Sequence, residues 1–237
     1  MMTLKRFSAL LIAALFAISA VMGQSSSSSE MSVEESYLQE AIELMIIRET
    51  SRSDSRDQKM MALEHIGNAL QRGSTNDELR VSLEYLSLEG TQNVARESGR
   101  VVNNYPDVRR QAAKYLGTVG TKEAKNVLIR ICSADNEPMV LQEAVKSLGT
   151  IGINDNDDAV STIVWITNKF HNNNIPSDLL ALSAVEALEK IVEKQKRVNA
   201  ETVQLINKII EGPYAGPVKA RARLALNNMI KYSRPSN

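Results

Sequence analysis

Apolar side chains recur along most of the chain at the three-to-four-residue spacing of a single helix face. Tyr37, Leu38 and Ile42 begin the pattern, and ten later segments continue it. The period-two alternation that is typical of strands is absent over any useful length. About eleven helices joined by short turns are therefore expected. They are predicted over residues 34–48, 54–73, 76–90, 91–102, 106–120, 121–131, 138–149, 159–170, 176–191, 199–212 and 217–230.

Residues that are typical of helix starts and helix ends lie between the apolar segments. Pro106 and Pro138 each stand at a first helical turn, where the missing N–H has no partner to lose. Asn76 precedes its helix in the position of an N-terminal cap. Gly117 and Gly120 are expected to end the helix from Pro106, and Gly149 is expected to end the helix from Pro138.

One stretch of the chain is repeated. Residues 106–120 return as residues 138–152 with the same Pro, Val, Ala, Lys, Leu-Gly-Thr and final Gly, 32 residues later. A fixed period of 20 to 50 residues is typical of an array of stacked repeats. A small residue stands four positions before a leucine in five places: Ser82 and Leu86, Ala112 and Leu116, Ala144 and Leu148, Ala184 and Leu188, and Ala222 and Leu226.

The repeated motif resembles a known family. The segment 106–109, followed by Ala112-Ala113 and Leu116-Gly117, is similar to the HEAT repeat in the bacterial form that also occurs in phycobilisome lyases. The resemblance covers residues 54–232 in five units and is strongest in the two central copies. It implies an all-α fold, a curved α-solenoid of about five helical hairpins with an N-terminal capping helix, in which the second helices line a concave face.

The N-terminal residues follow the pattern of an export signal. Lys5 and Arg6 precede an uncharged apolar run over residues 7–21, and small residues precede Gln24. The alternative is an uncleaved anchor, but this run is shorter than the roughly 20 residues of a spanning helix. We expect a signal peptide at 1–23, a serine-rich linker at 24–33, the α-solenoid at 34–232 and a frayed tail at 233–237, with the mature protein periplasmic or secreted.

Composition narrows the classes of function. The chain has 28 basic and 28 acidic residues, and this balance argues against a general attraction to nucleic acid. Aromatic residues make up only 4% of the chain, so a large planar ligand would find few aromatic walls. Cys132 is the only cysteine, which excludes an internal disulfide, and it lies in an apolar helical run where a buried, inert thiol is expected.

No motif for catalysis or cofactor binding is found. The two histidines, His65 and His171, lack metal-ligand spacing and are expected to be surface or capping residues. The acidic run 154–158 suggests calcium, but neither register supplies the Gly and Glu of an EF-hand loop. A turn that caps the following helix explains the run without a metal. We therefore predict no catalytic residues, no metal and no cofactor.

By exclusion, the sequence favours a non-enzymatic binding module that holds a protein partner on the concave face. The alternative is a lyase-like or chaperone-like handler of a small ligand. Neither the identity of the partner nor self-association can be read from the sequence. Candidate binding residues are the charged side chains expected on the second helices: Arg109, Arg110, Lys114, Lys146, Glu186 and Lys190.

Overall fold

The computed structural model describes residues 32–173 and 176–232. The predicted signal peptide, residues 24–31 of the predicted linker and the tail at 233–237 lie outside them. The described part contains ten α-helices: α1 Val33–Arg52, α2 Arg56–Gln71, α3 Asp77–Ser87, α4 Pro106–Val119, α5 Lys122–Ala134, α6 Pro138–Ile151, α7 Asp158–Asn172, α8 Asp178–Gln195, α9 Ala200–Glu211 and α10 Gly216–Met229. Short 3-10 helices span Asp155–Asp157 and Ile230–Tyr232.

The chain divides into two compact units, Met1–Ile42 and Glu43–Asn237. In the first unit, the described residues form the beginning of α1, which starts with a reciprocal cap. The Ser32 N–H donates to Glu35 at 2.9 Å, and the Glu35 N–H donates to the Ser32 hydroxyl at 3.2 Å. This capping box satisfies two backbone donors that a helix start otherwise leaves unpaired.

The second unit is an all-α solenoid with two layers of helices. Helices α2, α4, α6, α8 and α10 pack side by side in one layer, which we call the second-helix layer. Helices α3, α5, α7 and α9 form the other, the first-helix layer, with α3 beside residues 43–52 of α1 through Arg48 and Glu78, 2.8 Å apart. The array reaches the expected five hairpins only because α1, predicted as a separate capping helix, supplies the first helix of the first hairpin. Residues 43–52 of α1 pair with α2, and the other hairpins are α3–α4, α5–α6, α7–α8 and α9–α10.

The first hairpin differs in register from the expectation. Leu86 was assigned to a second helix, but it lies on α3, in the first-helix layer. Ala62 and Ile66 of α2 occupy the corresponding second-helix positions instead, and both are buried. The small residue and the apolar residue four positions later therefore recur as Ala62 and Ile66, Ala112 and Leu116, Ala144 and Leu148, Ala184 and Leu188, and Ala222 and Leu226.

Glycines let neighbouring second helices approach closely. A Cβ added at Gly149 would lie 2.7 Å from the Cβ of Ala187 on α8 and 3.1 Å from the carbonyl oxygen of that residue. At Gly117 it would lie 2.8 Å from the Cβ of Ser147 on α6. Gly67 packs in the same way against the ring of Tyr115. A side chain at any of these positions would push two helices apart.

The prediction that Gly149 ends its helix is wrong, and of the predicted pair Gly117 and Gly120, only Gly120 ends the first helix. Helix α4 continues to Val119 and α6 continues to Ile151. Gly120 and Gly152 are the C-terminal caps of these helices, with left-handed φ values of 72° and 65°. Glycine adopts this conformation without the steric cost that a Cβ would bring.

The helix predicted over residues 91–102 is wrong. This part of the connection between α3 and α4 contains a small antiparallel hairpin, with strands β1 Arg96–Glu97 and β2 Arg100–Val101. Ser98 and Gly99 form its turn, both with positive φ. Two consecutive residues of positive φ are typical of the turns that join short antiparallel strands. The expectation that no strand occurs is corrected for the same segment.

Buried polar groups hold this connection against the helices. The Asn103 amide donates to the Glu89 carboxylate and to the Asn93 carbonyl, both at 2.7 Å. The Lys59 ammonium of α2 lies 3.1 Å from Glu89 and donates to the Ser51 carbonyl at 3.2 Å. Because Lys59 and Glu89 are both buried, each needs the other to offset the loss of water.

The acidic run 154–158 forms a turn that caps α7. The Asn154 side chain accepts from the Val160 N–H at 3.0 Å and donates to Asp157 at 3.0 Å. Asp155 and Asp158 pair with Lys122 and Lys125 of α5, at 2.9 and 2.5 Å. The capping interpretation is confirmed, and these three carboxylates serve contacts within the chain.

Candidate protein-binding surface

The second-helix layer carries most of the predicted binding residues on its exposed side. Arg110 and Lys114 lie on α4, Lys146 lies on α6 and Lys190 lies on α8, all exposed. Glu186 of α8 is partly exposed. Lys114 and Lys146 occupy the same position in successive repeats, since they are 32 residues apart. The repeat therefore places their ammonium groups on adjacent helices of one surface, which we call the second-helix face.

Arg109 is not part of this surface, because its side chain is only 1% exposed. Its guanidinium forms a two-pronged ion pair with Asp135, with distances of 2.6 and 3.3 Å. It also donates to the Glu89 carbonyl at 3.1 Å and to Asn104 at 2.8 Å. Arg109 thus joins α4 to the α3–α4 connection and to the end of α5. The structure gives it an internal role rather than the surface position that the sequence suggested.

Two of the predicted residues are engaged with neighbouring helices. Arg110 lies 3.9 Å from Glu143 of α6, and Glu186 lies 4.0 Å from Arg221 of α10. Arg221 also pairs with Glu189, which stands where the central repeats have glycine. Burial favours a higher pKa for Glu189, but hydrogen bonds from Asn228 and Arg221 outweigh it and hold this pKa below the ordinary value. These ion pairs fasten adjacent second helices together.

Three lysines of the second-helix face have no such engagement. Within residues 32–173 and 176–232, Lys114, Lys146 and Lys190 make no ion pair. Their charges are available to a partner without breaking a contact inside the protein. An acidic surface approaching this face would find a row of uncompensated ammonium groups.

Sequence reasoning missed the exposed apolar residues of the same helices. Met61 of α2, Met139 of α6, Leu179 of α8 and Leu224 of α10 are all 41% or more exposed. Met139 and Leu179 correspond in register to Asp107, which is polar in the best-matching repeat. An apolar residue at a position where the repeat places a polar one was the signal that could have identified them. Apolar groups beside free cations are typical of protein-binding surfaces.

An open groove of about 480 Å³ lies on the opposite, first-helix side. Arg80 pairs with Asp77 at 2.6 Å and with Glu84 at 2.9 Å, and Arg130 also pairs with Glu84. The charges that line this groove are thus largely matched within the chain. A groove of about 420 Å³ between α2 and α4 contains Met61 instead. The second-helix side is therefore better suited to a partner.

The described residues offer little for catalysis. No group of three or more His, Cys, Asp or Glu side chains among them could hold a metal ion. Burial raises the pKa of the Cys132 thiol to about 12, which leaves it a poor nucleophile. The Nδ1 atom of His171 lies 3.1 Å from the Tyr214 hydroxyl, and burial and the charge of Lys208 lower the pKa of His171. This pair joins α7 to the connection before α10.

Comparison with known families agrees with the two-layer packing. The family model for HEAT repeats matches residues 101–169, which begin at the last residue of β2 and include helices α4 to α6 and most of α7. This segment of the chain consists of HEAT repeats. No curated protein matches the sequence. Among the described residues, no helix is long and apolar enough to cross a membrane.

HEAT repeats generally act as scaffolds for protein–protein interaction, and this repeat array has the features of one. Each hairpin contacts mainly its neighbours, so a continuous core supports an extended surface on either side. The fold alone fixes no single function, and the properties of a particular face must do so. In this chain, the second-helix face combines free cations with exposed apolar groups.

Proposed function

We propose that this protein is an exported, non-enzymatic scaffold that holds a protein partner on its second-helix face. The row of unpaired lysines, Lys114, Lys146 and Lys190, is the observation that carries the proposal. In the same layer, Arg110, Glu186 and Arg221 are engaged in contacts between helices. A structural role for the three lysines would require similar contacts, so their availability favours a role in binding.

The chemistry of the face indicates the kind of partner. Lysines favour an acidic surface, while Met139 and Leu179 favour apolar groups within it. Exposed charge pairs contribute about 0.2–1 kcal/mol each. The partner that fits is a protein surface with carboxylates around apolar side chains. A deep, enclosed pocket with converging polar groups would favour the small-ligand alternative instead.

Export rests on the sequence pattern of residues 1–23. The positive start, the uncharged run and the small residues before Gln24 support a cleaved signal peptide. N-terminal sequencing of the protein from its own cells should begin at Gln24, in the fraction outside the cytoplasm. A protein that keeps Met1 and stays in the cytoplasmic fraction would contradict this part of the proposal.

The binding proposal is tested by reversing charge on one face at a time. The variant Lys114→Glu/Lys146→Glu/Lys190→Glu should weaken capture of the partner about 10- to 100-fold, given roughly 0.5–1 kcal/mol for each charge. The control reverses three exposed cations elsewhere, Arg52→Glu/Arg96→Glu/Arg100→Glu, with the same change in net charge.

The two variants separate a specific face from general electrostatics. Equal loss with both triple variants would mean that net charge, rather than the second-helix face, governs capture. No loss with the lysine variant would remove the face from the proposal. Purification of a stoichiometric small molecule, with no protein partner, would instead support the ligand-handling alternative.

A further inference from the structure

The described part of the first unit exposes an acidic helix face. Leu38 is 63% and Ile42 is 45% exposed, and Glu34, Leu38 and Ile42 follow one another at four-residue intervals. Residues at this spacing share one side of a helix. Residues 32–42 contain three glutamates and no lysine or arginine. This segment, which we call the acidic stripe, offers apolar contact within a negative surface.

The last repeat of the second unit exposes a basic face. In α8, Ala181, Val185 and Val192 are buried. The residues 38 positions later are Lys219, Arg223 and Ile230, of which Arg223 is exposed and Ile230 is 52% exposed. Where a further repeat would pack, the chain therefore has two cations beside apolar side chains. We call this surface the terminal face.

The cations of the terminal face, Lys219 and Arg223, make no ion pair within the described residues. Arg221, on the same helix, is occupied by Glu189 of α8. An ordinary end cap needs only polar side chains to meet water. Two free cations beside apolar groups also match the acidic stripe in charge and in apolar character.

From this complementarity we propose that the protein associates head to tail, with the acidic stripe of one copy docked on the terminal face of the next. The occupant of the terminal face is a second copy of this chain. Pairing of two acidic stripes is disfavoured because like charges would face each other. A contact between two different surfaces leaves one of each free, so it extends into open chains unless the rotation closes a ring.

The test reverses each surface separately. The first variant, Glu34→Lys/Glu35→Gln, reverses one charge of the stripe and neutralises another, and glutamine retains the capping hydrogen bond to Ser32. The second variant, Lys219→Glu/Arg223→Glu, reverses the terminal face. Sedimentation velocity of the purified protein over a range of concentrations and salt should show association for the parent. The association constant of each variant should be at least about tenfold lower than that of the parent.

Mixing the variants is the decisive step. The first variant keeps a normal terminal face and the second keeps a normal acidic stripe, so an equimolar mixture should regain the association that each variant alone has lost. A chain that carries both sets of changes should regain part of its association, because the charges are exchanged. Circular dichroism of each variant checks that the helices are intact.

Defined outcomes would overturn the proposal. A parent protein that stays monomeric at every concentration contradicts it, as does a second variant that dimerises alone through its stripes. The variant Lys114→Glu/Lys146→Glu should self-associate normally, because it alters only the proposed partner surface. Both proposals predict that this variant loses partner capture and keeps self-association. Retained capture would contradict the proposed function, and lost self-association would contradict the head-to-tail contact.

Discussion

The close packing of α6 on α8 makes Gly149→Ala the sharpest test of the fold. The added Cβ would meet Ala187 at 2.7 Å from its Cβ and 3.1 Å from its carbonyl oxygen, and its Cα is closer still. Because these are backbone or backbone-proximal atoms, only a movement of one helix away from the other relieves the overlap. That movement opens gaps along a buried interface.

The magnitude follows from two opposing effects. Alanine is better than glycine in a helix interior by about 1 kcal/mol. Overpacking in a rigid core costs about 1–3 kcal/mol, and a backbone clash lies at the upper end. We therefore expect Gly149→Ala to lower the free energy of unfolding by about 1–2 kcal/mol. Chemical denaturation followed by circular dichroism measures this difference.

Two further substitutions identify the cause. Gly216→Ala is a matched control at the start of α10, where an added Cβ meets nothing within 4 Å, so it should be neutral or slightly stabilising. Gly117→Ala should be partly rescued by Ser147→Gly, which removes the two nearest atoms and leaves the Cα at 3.1 Å. If Gly149→Ala proved as stable as the parent, the close approach of α6 and α8 would be refuted.

Three other predictions concern buried groups and one ion pair. Arg109→Met should lower the free energy of unfolding by about 3–5 kcal/mol, because it leaves the buried Asp135 carboxylate without its cation. Adding Asp135→Asn should recover part of this loss. An unchanged midpoint of denaturant unfolding in Arg109→Met would contradict the buried ion pair. Cys132, with its pKa of about 12, should react with a thiol reagent only as fast as the protein unfolds, so rapid labelling of the native protein would disprove its burial. Glu189, with its lowered pKa, should stabilise the fold above about pH 4.3 and lose this contribution as the pH falls. The difference in free energy of unfolding between the parent and Glu189→Gln should therefore shrink at acidic pH. A difference that does not depend on pH would refute the ion pair.

Periodic apolar spacing was enough to predict the helices of the array, because stacked hairpins bury one face of each helix in a regular way. Ala112 and Leu116, with their counterparts in later repeats, carry this signal directly in the sequence. The first hairpin was harder to assign, since the α3–α4 connection lengthens the repeat and separates Ile66 from Leu116 by 50 residues. A false match at Leu86, closer to the expected period, took its place.

The segment 91–102 could not be predicted from local spacing. Val94 and Val102 fit a helix, but the chain there follows the Ser98-Gly99 turn and the buried hydrogen bonds of Asn103. The partners of the Asn103 side chain lie between eight and 14 residues away. Polar contacts between distant residues leave no periodic signal in a single sequence.

Part of the candidate site could be predicted from the repeat. Lys114 and Lys146 were identified because the repeat places them at one position of neighbouring helices. Arg109 has the same charge and directly precedes the exposed Arg110, but its side chain is buried. Its acceptors, Asp135 and the carbonyl of Glu89, come from other segments of the chain. The spacing of residues along one helix cannot predict that a charged side chain is buried by partners from other segments.

Site-specific photo-crosslinking in the native cells tests the central claim most directly. A photoreactive residue would replace Lys146 on the second-helix face in one strain and Asn126, exposed on α5 of the first-helix layer, in another. We expect position 146 to capture one protein reproducibly and position 126 to capture none. Capture of the same protein from position 126 but not from position 146 would contradict the proposal that the second-helix face holds the partner.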